Sequence, residues 1–199
     1  MKFRLFGALA VFALFILAAA SPAAAYSYAA AGKEPLIENR EALLSGIDKG
    51  DWQSVRKAYA GMKSDIAYLD ANEDKGIAGA FDKALAAQKG DVLKSLLRRA
   101  YVDEIERRLD GARDQIDDYQ NAKVLVVKAQ KFYEAMAGDL EPKPRAAVED
   151  GLKRALDAIG NPGLFGVGAK DPDPKALAEA RKDVLAALKP SAPEAGSSG

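Results

Sequence analysis

Nowhere from Lys33 to Leu188 does this chain alternate apolar and polar residues, with β-branched side chains, over the length of a strand. Its apolar residues return every three or four positions instead, the spacing that gathers side chains on one face of a helix. Ala, Leu, Lys, Glu and Arg dominate the same stretch, and all are good helix formers. The run Val124 to Val127 is the one β-looking segment, and it lies inside a long helical pattern. The fold class is therefore all-α. The sequence predicts a bundle of about six helices with helical-hairpin organisation over residues 34–189.

The individual helices are placed by stripe and punctuation. A first helix is expected from Pro35 to about Ile47, with Pro35 at its opening turn and Leu36, Leu43, Leu44 and Ile47 on one face. Gly50 stops it and Asp51 caps the next, whose stripe is Trp52, Val55, Tyr59, Met62, Ile66 and Leu69. A third spans about Asp74 to Gln88, with Ile77, Phe81 and Leu85 at four-residue steps. Gly90-Asp91 reads as the same stop and cap. One long central helix then runs from Val92 to about Ala137, bent or broken near Gly111, because glycine weakens a helix by about 1 kcal/mol. Its first half buries Val92, Leu96, Leu97, Tyr101, Ile105 and Leu109. Its second half, with Ile116, Tyr119, Val124, Leu125, Val127, Phe132, Tyr133 and Met136, is apolar over a wide arc, as for a helix in the middle of a bundle. Pro142 and Pro144 open a fifth helix ending near Ile159, and the last runs from about Lys175 to Leu188. Lys49-Gly50-Asp51 recurs as Lys89-Gly90-Asp91, 40 residues on, which fits a duplicated helical hairpin. The neighbouring matches slip in register, so chance repetition of a helix-end signal is the favoured expectation and a true duplication the alternative.

The two ends read differently. Lys2 and Arg4 precede an uncharged apolar run from Leu5 to Ala20, Ser21-Pro22 breaks it, and Ala23-Ala24-Ala25 offers small residues for cleavage. That order is the order of a secretory signal peptide over residues 1–25, cleaved near Ala25. A retained anchor is the alternative, but spanning a bilayer usually takes about 20 apolar residues and this run is shorter. Residues 26–33 read as a flexible start, and the Pro/Ser/Gly-rich tail 190–199 as disordered. The expected location is periplasmic or secreted, with no membrane insertion after cleavage.

Composition narrows the chemistry. There is no Cys and no His, which excludes disulfides, thiolate or imidazole metal ligands, Cys or His nucleophiles and a Ser-His-Asp triad. With 29 basic and 29 acidic residues, loss of Lys2 and Arg4 leaves 27 against 29, a net charge of −2. No basic footprint exists for nucleic acid or for an acidic membrane surface. No nucleophile motif is present, so no catalytic residue and no enzyme activity are expected.

Three groups of residues are candidates for binding. The first is the loop containing Gly163, Leu164, Phe165, Gly166, Val167 and Gly168. Its glycines could turn backbone N–H groups toward an anion, but Ala169 stands where a phosphate loop carries Lys. The favoured expectation is that Leu164, Phe165 and Val167 pack into the end of the bundle; full exposure of the three would mark a partner-binding patch instead. The second group is carboxylate. Glu34, Glu38 and Glu41 lie near one another in sequence, and Asp110, Asp114 and Asp118 recur at four-residue steps with Asp117 beside them. Oxygen donors of this kind suit Fe³⁺, Ca²⁺ or Mg²⁺. The competing expectation is a solvated face salt-bridged by Arg107, Arg108 and Arg113. Asp70, Glu73 and Asp74 lie in a turn without the spacing of a helix-loop-helix calcium site. The aromatic residues Trp52, Tyr59, Tyr68, Tyr101, Tyr119, Phe132 and Tyr133 fall mostly on apolar faces and are expected in the core.

At Lys123 to Ala135 (KVLVVKAQKFYEA) and Gly160 to Gly168 (GNPGLFGVG) the chain is similar to uncharacterised exported helical proteins of bacteria. It also resembles the periplasmic helical segments associated with high-affinity iron permeases. The permease itself carries Arg-Glu-x-x-Glu motifs in several membrane helices; Glu38-Asn39-Arg40-Glu41 is a partial match with the Arg displaced. Imelysin-like iron binders use a histidine-containing motif that this chain lacks. The resemblance implies an accessory role in metal uptake. The expectation is thus an exported helical binding or accessory protein with a periplasmic or membrane protein partner, or weak binding of an oxygen-ligated cation. The alternatives are a helical-hairpin scaffold without a ligand and a carboxylate-based hydrolase.

Overall fold

A computed structural model describes residues 32–165 and 167–191, and the described residues from Glu34 onward form one compact unit. The signal segment, most of the 26–33 stretch, Gly166 and the tail beyond Ser191 lie outside the described residues. Among the described residues the fold is all-α: seven helices of ten residues or more and one single-turn helix. They are α1 (Pro35–Glu38), α2 (Arg40–Lys49), α3 (Trp52–Asn72), α4 (Ile77–Ala86), α5 (Gly90–Asp114), α6 (Tyr119–Met136), α7 (Pro142–Ala158) and α8 (Pro174–Leu188). No described helix is long and apolar enough to cross a membrane.

Helix starts follow local chemistry. Asp51, Asp118 and Asp173 each sit one residue before a helix and accept an N–H from its first turn, from Ser54 (3.1 Å), Asn121 (3.1 Å) and Ala176 (2.9 Å). Each relieves one of the donors a helix leaves unpaired at its start, and such a cap contributes about 1 kcal/mol. Gly50, at φ +68°, closes α2 in the left-handed conformation that glycine adopts without a Cβ penalty.

The central helix is α5, which touches α2, α3, α4, α6 and α8. Leu93, Leu96, Leu97, Ala100, Tyr101, Ile105, Leu109 and Ala112 are buried along it. The α5–α6 and α7–α8 pairs are packed hairpins. Gly111 lets the first pair approach, since a Cβ there would stand 3.2 Å from Leu125 Cδ1. Tyr101 meets Phe132 edge-on across the same pair, with ring centroids 5.3 Å apart.

Several boundaries differ from the sequence expectation. The bundle holds seven substantial helices instead of six, because the 92–137 pattern is two helices. Gly111 lies inside α5, and the break falls at 115–118, where Asp118 caps α6. Capping restarts the helix there, whereas one glycine only weakens it. The first expected helix is likewise divided at Asn39 into α1 and α2. Val92, Val124 and Val127 are exposed: Val92 lies in the first turn of α5, α6 presents one face to solvent, and α5 instead of α6 is the helix most enclosed by others. Tyr68 is also largely exposed, with the Arg107 guanidinium 5.0 Å from its ring centroid. The 40-residue echo is not an echo of geometry. Gly50 ends a helix, whereas Gly90 begins α5 and Gln88 takes the positive φ (+53°) of that turn.

Candidate functional site: the loop between α7 and α8

The segment joining α7 to α8 folds into a small hairpin. Asn161 and Lys170 exchange two backbone hydrogen bonds, each 2.8 Å, at its base. Leu164 and Val167 exchange two more at its tip, 3.1 and 3.0 Å. The Asn161 side-chain oxygen accepts the Gly163 N–H at 2.9 Å, and Lys170 Nζ donates to the Asp157 carbonyl at 2.9 Å. Gly163 is required where it stands: at φ +72° any Cβ would lie 2.6 Å from the Val167 carbonyl oxygen. These bonds satisfy the N–H groups of Gly163, Leu164, Val167 and Lys170 within the hairpin, so they are not turned outward to cradle an anion.

The expectation that the loop's apolar residues pack into the bundle is overturned. Leu164 is 75% exposed, Val167 80% and Phe165 99%. The reason is geometric. Four backbone hydrogen bonds close the hairpin on itself and leave its tip side chains in solvent. Phe165 also holds φ at +52°, a left-handed conformation unusual for a bulky residue. Two-residue hairpin turns normally place Gly, Asn or Asp at such a position. A fully exposed, conformationally strained phenylalanine contributes nothing to folding.

The carboxylate candidates are dispersed and occupied. Glu34 is buried and takes Arg108 Nη2 at 2.6 Å and Lys128 Nζ at 3.1 Å. Glu38 and Glu41 are exposed on α1 and α2. Asp110 is bound by Arg113 (2.9 Å) and Arg181 (2.7 Å), Asp114 by Arg113 (2.9 Å), and Asp118 is the α6 cap. Asp117 is exposed in the turn before that cap. Asp70 accepts N–H groups from Gly76 and Ala78 at the start of α4, and Asp74 pairs with Arg99. Among the described residues no three Asp or Glu side chains converge where a cation could sit. The expected oxygen-rich faces are thus salt-bridged ones, within α5 through Arg113 and between α5 and α8 through Arg181.

Two features carried no clear signal in the sequence. One is the buried charge network of Glu34, Glu104, Arg108 and Lys128, in which Arg108 also lies 4.7 Å from the Phe132 ring centroid. The other is Asp103 on α5. Burial pushes its carboxyl up to about 7; the neighbouring Asp74 carboxylate adds to the rise and Arg99 opposes it. Helical periodicity put Arg108 with the solvated arginines because three-dimensional burial depends on partners from distant helices.

No family model, curated protein or solved structure matches this chain.

Proposed function

We propose that this chain is an exported helical binding protein that docks on a partner protein by seating Phe165, flanked by Leu164 and Val167, in an apolar pocket of that partner. One observation carries the reading: Phe165 is fully exposed and held at positive φ on a hairpin pinned by backbone hydrogen bonds. Exposure costs the fold its hydrophobic gain and the dihedral adds strain, so the residue serves something outside the fold. A rigid platform limits the entropy lost on docking, which favours affinity. The surroundings select protein over lipid. Asp157, Asp171 and Asp173 lie close in sequence to the hairpin base, Lys170 is engaged with a carbonyl, and the chain without Lys2 and Arg4 carries a net −2. Nothing here attracts an anionic bilayer surface.

Site-specific photocrosslinking tests this. A benzophenone amino acid at position 167 is expected to give one discrete adduct in the native host envelope, and a probe at exposed Val92 none. Adding Phe165→Asn should abolish the adduct. An adduct that survives Phe165→Asn, or sedimentation of the purified protein with neutral or anionic vesicles, would overturn the reading. Mass spectrometry of the processed N-terminus checks export separately.

A further inference from the structure

On the side of the bundle where α2 faces α5, the two helices leave a groove of about 230 Å³. α2 contributes Arg40, Leu44 and Asp48 at four-residue steps, and α5 contributes Lys94, Leu97, Arg98 and Tyr101. Met136, at the end of α6, and Asp139 complete the lining. The acids at the rim are spoken for: Asp48 accepts Lys94 Nζ at 2.6 Å, and Asp139 accepts Arg40 Nη2 at 2.6 Å. The Tyr101 hydroxyl is also committed, donating to the Leu36 carbonyl at 3.0 Å.

Arg98 is different. Its Nε, like those of Arg108, Arg145 and Arg181, is shut off from solvent without a hydrogen-bond partner, but among the described residues no carboxylate pairs with its guanidinium. The other partly buried arginines, by contrast, are engaged: Arg40, Arg99, Arg107, Arg108, Arg154 and Arg181 with carboxylates, and Arg145 with the Leu140 carbonyl. A guanidinium held in a groove whose acids are paired with other cations is a donor fork free to take an acceptor, and its planar geometry matches a carboxylate. Beside it lie the apolar side chains of Leu44, Leu97 and Met136.

We infer that this groove is a binding site for a small organic carboxylate, its carboxyl on Arg98 and its apolar body against Leu44, Leu97 and Met136. The lining sums to three cations and two acids, a surplus of one positive charge centred on Arg98. Its size sets the scale of the ligand. At roughly 30 Å³ per water the space equals about eight waters, so the ligand has on the order of ten heavy atoms, below the drug-sized range. The site is distinct from the hairpin and stands whether or not the hairpin docks a partner.

The test is an NMR titration of the purified mature protein with sodium benzoate, following backbone amides along α2 and α5 and the arginine Nε–H signals. Saturable shifts are expected at Arg98 Nε–H and Leu97. Arg98→Gln should weaken binding roughly tenfold or more, as expected for loss of charge-assisted hydrogen bonds. Leu44→Trp, which fills the groove and leaves Arg98 in place, should also weaken it. Benzyl alcohol, of like shape and no charge, should bind at least as weakly as benzoate binds Arg98→Gln. Linear shifts with no saturation, unchanged affinity in both variants, equal binding of benzyl alcohol, or tighter binding of inorganic phosphate would each overturn the inference. The amide spectra of both variants report whether the fold survives, and Leu44→Trp gives an independent reading if Arg98→Gln unfolds.

Discussion

Arg108 Nη2 donates to the Glu34 carboxylate at 2.6 Å, joining positions 74 residues apart, and both side chains are buried. The pair fastens the start of the compact unit to its central helix. Leu36, two residues on, adds a carbonyl taken by Tyr101 and an N–H donated to Asp65 at 3.3 Å. Glu104, one turn before Arg108, binds the same guanidinium. Removing Arg108 leaves two buried carboxylates short of their main cation. Arg108→Leu is therefore expected to cost about 3–5 kcal/mol in urea unfolding, the usual penalty for breaking a buried pair from one side. Arg56→Ala, on the exposed face of α3, should stay within about 0.5 kcal/mol. Equal effects of the two substitutions would show that the buried network is not structural.

The hairpin tip gives a prediction of opposite sign. Phe165→Asn relieves a left-handed dihedral at a position that packs against nothing. It should leave stability unchanged or raise it by up to about 1 kcal/mol, since asparagine tolerates that conformation. A loss of more than about 1 kcal/mol in thermal unfolding would mean that Phe165 packs in solution.

Asp103 should make a contribution to stability that falls as pH rises from about 4 to about 7. Asp103, with its carboxyl at about 7 in the folded chain, keeps its proton across a window where the unfolded chain, near 3.9, has released it. The native state then binds more protons than the unfolded one, so the unfolding free energy declines with pH through that interval. Burial likewise raises Asp65, which contributes a slope of the same sign. The groups around Asp103 are Asp74, Arg99 and Glu106. Asp103→Asn should flatten the slope and raise the melting temperature at pH 8. An unchanged pH profile in that variant would place the slope elsewhere.

Two helical glycines should respond oppositely to alanine. At Gly151 a Cβ would stand 2.5 Å from Val184 Cγ2, where α7 meets α8. At Gly79, on the exposed side of α4, it would meet nothing within 4 Å. Gly151→Ala is expected to lose about 1–3 kcal/mol through overpacking. Gly79→Ala should gain roughly 0.5–1 kcal/mol through helix propensity. Denaturant midpoints of the two variants moving the same way would contradict this packing.

The class of fold and most helices are readable without coordinates. The stripe Val55, Tyr59, Met62, Ile66 and Leu69 is buried as its spacing requires, and Asp51 and Pro142 open helices where their chemistry predicts. Such features are local: a 3.6-residue period and a cap three residues from its donor are contained within one helix. Tertiary structure alone decided the rest. Arg108 reads as one of the solvated arginines of α5, yet it is buried against Glu34 from the start of the unit as well as Glu104 on its own helix, while Arg98 lies in a groove whose acids are paired with other cations. Phe165 reads as core by composition, yet hydrogen bonds between both sides of its hairpin hold it outside. Burial of a charge or exposure of a ring is a property of what arrives from distant positions, and no helical period encodes that.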